Sequence, residues 1–72
     1  MKTEVTFHKD EFGNYAVKQD GVYIGVVIDK LPNGMWEVYS TREADKDAPQ
    51  IVKYRTLKEC KDWCKDQWEY EF

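Results

Sequence analysis

Few residues in this 72-residue chain could do chemistry: two cysteines, Cys60 and Cys64, one histidine, His8, and carboxylates spread over turns and the C-terminal third. The C-x-x-x-C spacing puts both thiols on one face of a helix, where a disulfide fits poorly, so two reduced thiols are expected. Zinc is not, because it takes a tetrahedral set of ligands and the nearest histidine is remote in the chain. A cysteine nucleophile needs a thiolate stabilised by an imidazole and a site for the oxyanion. Here the thiols fall on an apolar helical stripe and His8 belongs to the first strand. Hydrolysis by paired carboxylates needs two acids in contrasting environments across a cleft, and nearly all the acids here sit in a turn, a charged loop or an outward helix position. Gly13, Gly21, Gly25 and Gly34 follow turn spacing, and none joins a strand to the helix as a phosphate loop would. The residues point away from an enzyme, and no cofactor or metal is expected.

A mass of 8.6 kDa allows one domain, residues 1–72, and a chain this small buries only roughly 60% of the surface it exposes when unfolded. A buried active site would compete with its core. Fourteen acids against eleven Lys and Arg leave a net charge of −3. That sign disfavours binding to phosphate backbones, which depends on clustered cations. Lys53, Arg55, Lys58, Lys61 and Lys65 do cluster, but Glu59, Asp62, Asp66, Glu69 and Glu71 interleave with them, as on a solvated helix. No apolar run approaches the length of a membrane span or a signal sequence, and the expectation is a cytoplasmic protein with no membrane contact.

The elements that would position these groups follow from periodicity. Lys2–His8 alternates, with Thr3, Val5 and Phe7 on one side, as a half-buried strand does. Asp10–Asn14 is a turn, Asn14–Lys18 a second strand, and Asp20-Gly21 a hairpin turn into Val22–Asp29, which is apolar on both faces. Gly25 within that strand suggests a bulge or a close approach by a neighbouring aromatic. Leu31–Gly34 turns the chain into Met35–Ser40, Thr41–Pro49 reads as a charged mobile surface loop or frayed turn, and Gln50–Tyr54 as a short last strand. From Thr56 the period lengthens: Thr56 and Glu59 form a capping box, and Leu57, Cys60, Cys64 and Trp68 make one stripe of a helix running to about Tyr70. Lys58, Lys61, Asp62, Lys65 and Asp66 would face water. The fold class is α+β: a small antiparallel meander of four to five strands with one C-terminal helix packed on one face.

One helix covers one face of a sheet. If Ile24, Val26, Ile28, Trp36 and Val38 face it, alternation sends Tyr23, Val27, Met35 and Tyr39 to the other side, with Tyr15 or Tyr54 beside them. That face could close into a small barrel, or it could contact another macromolecule.

The layout of meander, last strand and capped helix, Y-R-T-L-K-E-C-K-D-W-C, resembles small bacteriophage-encoded proteins that bind and inhibit host machinery such as RNA polymerase or defence systems. The resemblance covers about Val22 to Trp68. It implies an intracellular protein that works by occupying a partner's surface.

The reading that follows is a non-enzymatic protein-binding module, monomeric or weakly dimeric, that meets a basic surface on a protein partner. Tyr23, Trp36 and Tyr39 on the sheet, with Tyr70 and Phe72 at the chain end, are the candidate anchors. Glu43, Asp45 and Asp47 in the loop, with Glu69 and Glu71 beside the last aromatics, are the candidate steering charges. The alternative is a single-stranded nucleic-acid platform, in which aromatic rings stack bases, but Lys18, Lys53 and Arg55 are few cations for that task.

Overall fold

The computed structural model describes residues 1–71. The alternating and β-branched segments form five strands, β1 (Val5–Lys9), β2 (Tyr15–Gln19), β3 (Val22–Lys30), β4 (Trp36–Ser40) and β5 (Gln50–Tyr54). They pair antiparallel in chain order, β1-β2-β3-β4-β5, and α1 (Leu57–Trp68) packs against this sheet, so the expected α+β meander is the observed architecture. Short connections dictate that order, because each turn returns the chain beside the strand it has just left. At the β2–β3 turn Asp20 and Gly21 both take positive φ, 51° and 81°, as a type I′ hairpin requires.

Register separates two faces. One carries the rows Phe7–Val17–Val26–Ser40, Lys9–Tyr15–Ile28–Val38–Val52 and Lys30–Trp36–Tyr54. Its centre is the core: Val17, Val26, Ile28 and Val38 are fully buried together with Cys60 and Cys64 of α1. Leu57, Trp63 and Trp68 extend the contact, the two indoles meeting edge to face at 5.6 Å. The helix begins where Thr56 Oγ1 accepts the Glu59 amide (3.2 Å) and donates to Glu59 Oε1 (2.9 Å), so the expected pair caps the helix through its side chains.

Three expectations change. Tyr15 and Tyr54 lie on the helix side, where Tyr15 meets Trp36 at 6.2 Å, because their strands enter the sheet in the register of Ile28 and Trp36. Lys61 does not face water alone: it is half-buried, with Nζ 4.6 Å from the centre of the Tyr15 ring and 5.5 Å from that of Phe7. The helix stops at Trp68, not Tyr70, because Glu69 turns extended (φ −92°, ψ 116°) and the tail runs back beside the N-terminal segment. There Thr3 N–H donates to Tyr70 O (2.8 Å), while Trp68 O accepts from Thr3 Oγ1 (2.9 Å) and Gln19 Nε2 (2.8 Å). Those donors satisfy a carbonyl the helix end would otherwise leave unpaired.

The segment after β4 is built, not loose. It contains a 3₁₀ turn, Glu43–Asp45, and Asp45 accepts from both Ser40 Oγ and Arg42 Nε. Arg42 also lies 5.5 Å from the centre of the Trp68 ring. Its side chain passes so close to Gly25 that a Cβ there would sit 2.9 Å from Arg42 Cγ. Gly25 itself has φ +82° and falls in the irregular stretch where the β2–β3 register shifts, so the bulge is found, while the close neighbour is the Arg42 side chain and not the expected aromatic.

Replacing Gly21 or Gly25 by Ala forces a side chain into positive φ, at a cost on the order of 1–2 kcal/mol. Gly21 has open space around its missing Cβ and Gly25 does not. Urea denaturation should therefore rank Gly25→Ala as the more damaging of the two. Ile28→Ala, which empties a fully buried position, should cost about 2–5 kcal/mol in the same assay.

Candidate functional site

The face away from α1 is assembled from the alternate residues of the same strands. Its rows are Thr6–Lys18–Tyr23, His8–Ala16–Val27–Tyr39–Gln50 and Asp29–Glu37–Lys53. Tyr39 lies directly opposite Val27, and Tyr23 stands four residues earlier on the same strand, beyond the irregular stretch at Gly25. Tyr23 is 47% exposed, and Val27 and Tyr39 are half-buried.

Polar groups enclose this strip. Asp29 and Glu37 are direct cross-strand neighbours, with Lys53 opposite Glu37 on the other side. Glu37 is only 7% exposed although no helix covers it, and Gln50 Nε2 donates to its carboxylate. Burial pushes the Asp29 carboxyl above the usual range, and the charges of Glu37 and Asp10 push in the same direction. At the opposite border Thr6 Oγ1 and His8 Nε2 share a hydrogen bond of 3.1 Å. The surface is thus an apolar and phenolic centre within mixed charge, a composition suited to contact.

The residues singled out from sequence do not form one patch. Tyr23 and Tyr39 share the helix-free face. Trp36 is on the other side, half-buried against the core, with Lys30 Nζ 5.9 Å from its ring centre. Glu43, Asp45 and Asp47 hang from the end of β4. Of these, Glu43 pairs with Lys46 at 3.2 Å, Asp45 is tied to Ser40 and Arg42, and Asp47 is exposed. The hydrogen bond from Ser40, seconded by that from Arg42, holds the Asp45 carboxyl below the ordinary carboxylate range. Glu69 Oε2 accepts the Val5 amide at 3.1 Å, and Tyr70 is 51% exposed. Phe72 lies outside the described residues.

Two features escaped the sequence reading. Glu37 could have been placed by the same alternation that placed Tyr39. Phe12, 79% exposed at the β1–β2 turn, is held there by Asp10, whose Oδ1 accepts the amides of Phe12 (2.8 Å) and Asn14 (3.0 Å). Its signal was an aromatic residue in a turn whose chemistry otherwise calls for Asp, Asn and Gly.

Among the described residues no group of three or more His, Cys, Asp or Glu is placed to hold a metal, and no helix is long and apolar enough to cross a membrane. A shallow groove of about 330 Å³ lies between Lys2, Glu4, Lys65 and Glu69, with no thiol, imidazole or hydroxyl on its walls. Compared with known protein families, characterised proteins and solved structures, the chain matches none.

Burial raises the Cys60 thiol to about 11 and the Cys64 thiol to about 12, the charges of Glu59 and of the neighbouring thiol adding to it respectively. The native protein should therefore react with a disulfide reagent near pH 8 far more slowly than the urea-unfolded chain. Because the folded state holds these protons more tightly, the stability they confer is complete below pH 9, the ordinary thiol value, and declines as pH rises toward 11–12. Urea midpoints measured across that window should fall, and a Cys60→Ala/Cys64→Ala chain should show a smaller fall.

Proposed function

We propose that the chain is a protein-binding module without catalytic function, and that it seats its helix-free face on a protein partner. The observation that supports this most directly is that Tyr23, Val27 and Tyr39 share the face the helix leaves uncovered, with Asp29, Glu37, Lys53 and Lys18 on that same face. Two-torsion aromatic side chains on regular strands lose little freedom on contact, which makes them efficient anchors. The net charge of −3 and the exposed Glu43 and Asp47 favour a partner with a basic contact region, speeding encounter more than they tighten the complex. The resemblance in layout to phage-encoded inhibitors makes a bacterial polymerase or defence protein the class of partner to try first. Inhibition would then be by occlusion, with no chemistry asked of the module.

A second reading has one observation of its own. Lys18 sits directly opposite Tyr23, as a cation beside a stacking ring would. Asp29 and Glu37 on the same face oppose it by repelling phosphate.

The test starts from a tagged chain and bacterial lysate, with the retained protein identified by mass spectrometry and its affinity then measured with purified components. Tyr23→Ala and Tyr39→Ala should each weaken that affinity by about 2 kcal/mol, roughly 30-fold, with the fold intact by circular dichroism. Lys58→Ala, on the exposed helix surface, should leave it unchanged. Equal affinity for all three variants would remove this face from the contact. A salt-sensitive anisotropy shift with single-stranded oligonucleotides, abolished by Lys18→Glu, would favour the second reading.

A further inference from the structure

The two outer edges of the sheet are protected in different ways. On β5, Ser40 N–H donates across to Pro49 O, so by the two-residue period Val38 and Trp36 also bond toward β5 and meet Val52 and Tyr54. Lys53, between them, turns its backbone outward, and its exposed ammonium stands at the middle of the edge. The β4–β5 register shifts between Val38 and Tyr39 as well. A central lysine and a bulge are the usual obstacles to strand addition.

β1 has neither. Its ladder with β2 runs from Val5–Gln19 to Lys9–Tyr15 without a shift, and its one strand lysine is at the far end. The backbone of Thr3 and Val5 faces outward, and by the same period so does that of Phe7. The start of this edge, Val5 and the segment before it, is instead met by the chain's own tail. Tyr70 O accepts the Thr3 amide (2.8 Å), Glu69 Oε2 accepts the Val5 amide (3.1 Å), Thr3 Oγ1 accepts the Tyr70 amide (2.6 Å), and Lys2 bridges to Glu71. Glu69 caps as a side chain what a neighbouring strand would cap as a carbonyl.

We propose that residues 69–71 are an edge guard over β1, and that with the guard displaced β1 accepts, antiparallel, the β1 strand of a second copy. Val5 of one copy then exchanges backbone hydrogen bonds with the second copy's Phe7 about a two-fold axis at Thr6. Their apolar side chains continue one another on the core side, where Val5 is buried and Phe7 half-buried. The uncharged Thr6 at the axis sets no repulsion there, in contrast to Lys53 on β5. The proposal does not depend on the use of the helix-free face.

The experiment compares the full chain with a chain ending at Trp68, by light scattering across a concentration series and by amide hydrogen exchange. The full chain should stay at 8.6 kDa. The shortened chain should move toward twice that mass as concentration rises, with slower exchange at Phe7 and unchanged exchange at Lys53. If circular dichroism shows the shortened chain unfolded, full-length Thr3→Val/Glu69→Ala carries the test: its Val5 amide should exchange roughly tenfold faster when dilute, and it should dimerise when concentrated. Oxidised Lys2→Cys/Glu71→Cys, which pins the tail, should remain monomeric. A folded, shortened chain that stays monomeric throughout would overturn the proposal. So would a dimer protected at Lys53, or one formed equally well by the full or the pinned chain.

Discussion

The structure depends on one contact: the stripe of α1 that presses Cys60 and Cys64 onto Val17, Val26, Ile28 and Val38. Small thiols at the centre of the stripe allow a close approach of helix and sheet, and the larger Leu57, Trp63 and Trp68 close the margins. A chain of this length has no second layer to spend on the other side of the sheet. Every property of the opposite face follows from that shortage. Its side chains run from the exposed Tyr23 to the buried Glu37, phenols set among mixed charges.

The same shortage explains why so many contacts gather at the end of the helix. Trp68 is where the helix, the β2 strand, the N-terminal segment and the loop after β4 meet. Its carbonyl receives Gln19 and Thr3, and its ring receives Arg42 and Trp63. Arg42 is in turn fixed by Ser40 and Asp45. A charged loop that composition would leave mobile is thereby drawn onto the fold, because its one arginine finds a carboxylate, a hydroxyl and an aromatic ring together. No single one of these contacts need be strong, since exposed ion pairs contribute about 0–1 kcal/mol. Their value lies in sharing one geometry.

What sequence made legible was what depends on neighbours in the chain. Asp20-Gly21 announced its hairpin, Thr56 with Glu59 announced the helix start, and the spacing of Leu57, Cys60, Cys64 and Trp68 announced the buried stripe. Alternation placed Tyr23, Val27 and Tyr39 on the face away from the helix. What stayed illegible depends on partners distant in the chain. The helix end at Trp68 is decided by Thr3 and Gln19, the posture of Lys61 by Phe7 and Tyr15, and the order of the loop by Trp68. No local window contains those pairs. Trp36 shows the limit from the other side. Its strand parity was readable and put it with the core, while its type suggested an anchor, and parity describes its place.

The division of aromatic side chains between the two faces bears on the meaning of the phenolic strip. Phe7, Tyr15, Trp36, Tyr54, Trp63 and Trp68 all pack against the core. Those rings already supply large apolar area to a small domain, so folding does not call on Tyr23 and Tyr39 to the same degree. A strand position beside water is well served by Thr, Lys or Gln, as Thr6, Lys18 and Gln50 show on this same face. Tyr39 opposite Val27, and Tyr23 farther along the strand, place rings where solvation alone would favour polar side chains, and their hydroxyls keep that apolar surface compatible with water. Glu37 supports the same view: a carboxylate buried on an uncovered face, held by Gln50, fixes the border of the strip instead of merely solubilising it. The hydrogen bond from Gln50 and the strand backbone on either side thus hold this border in place although no helix lies over it.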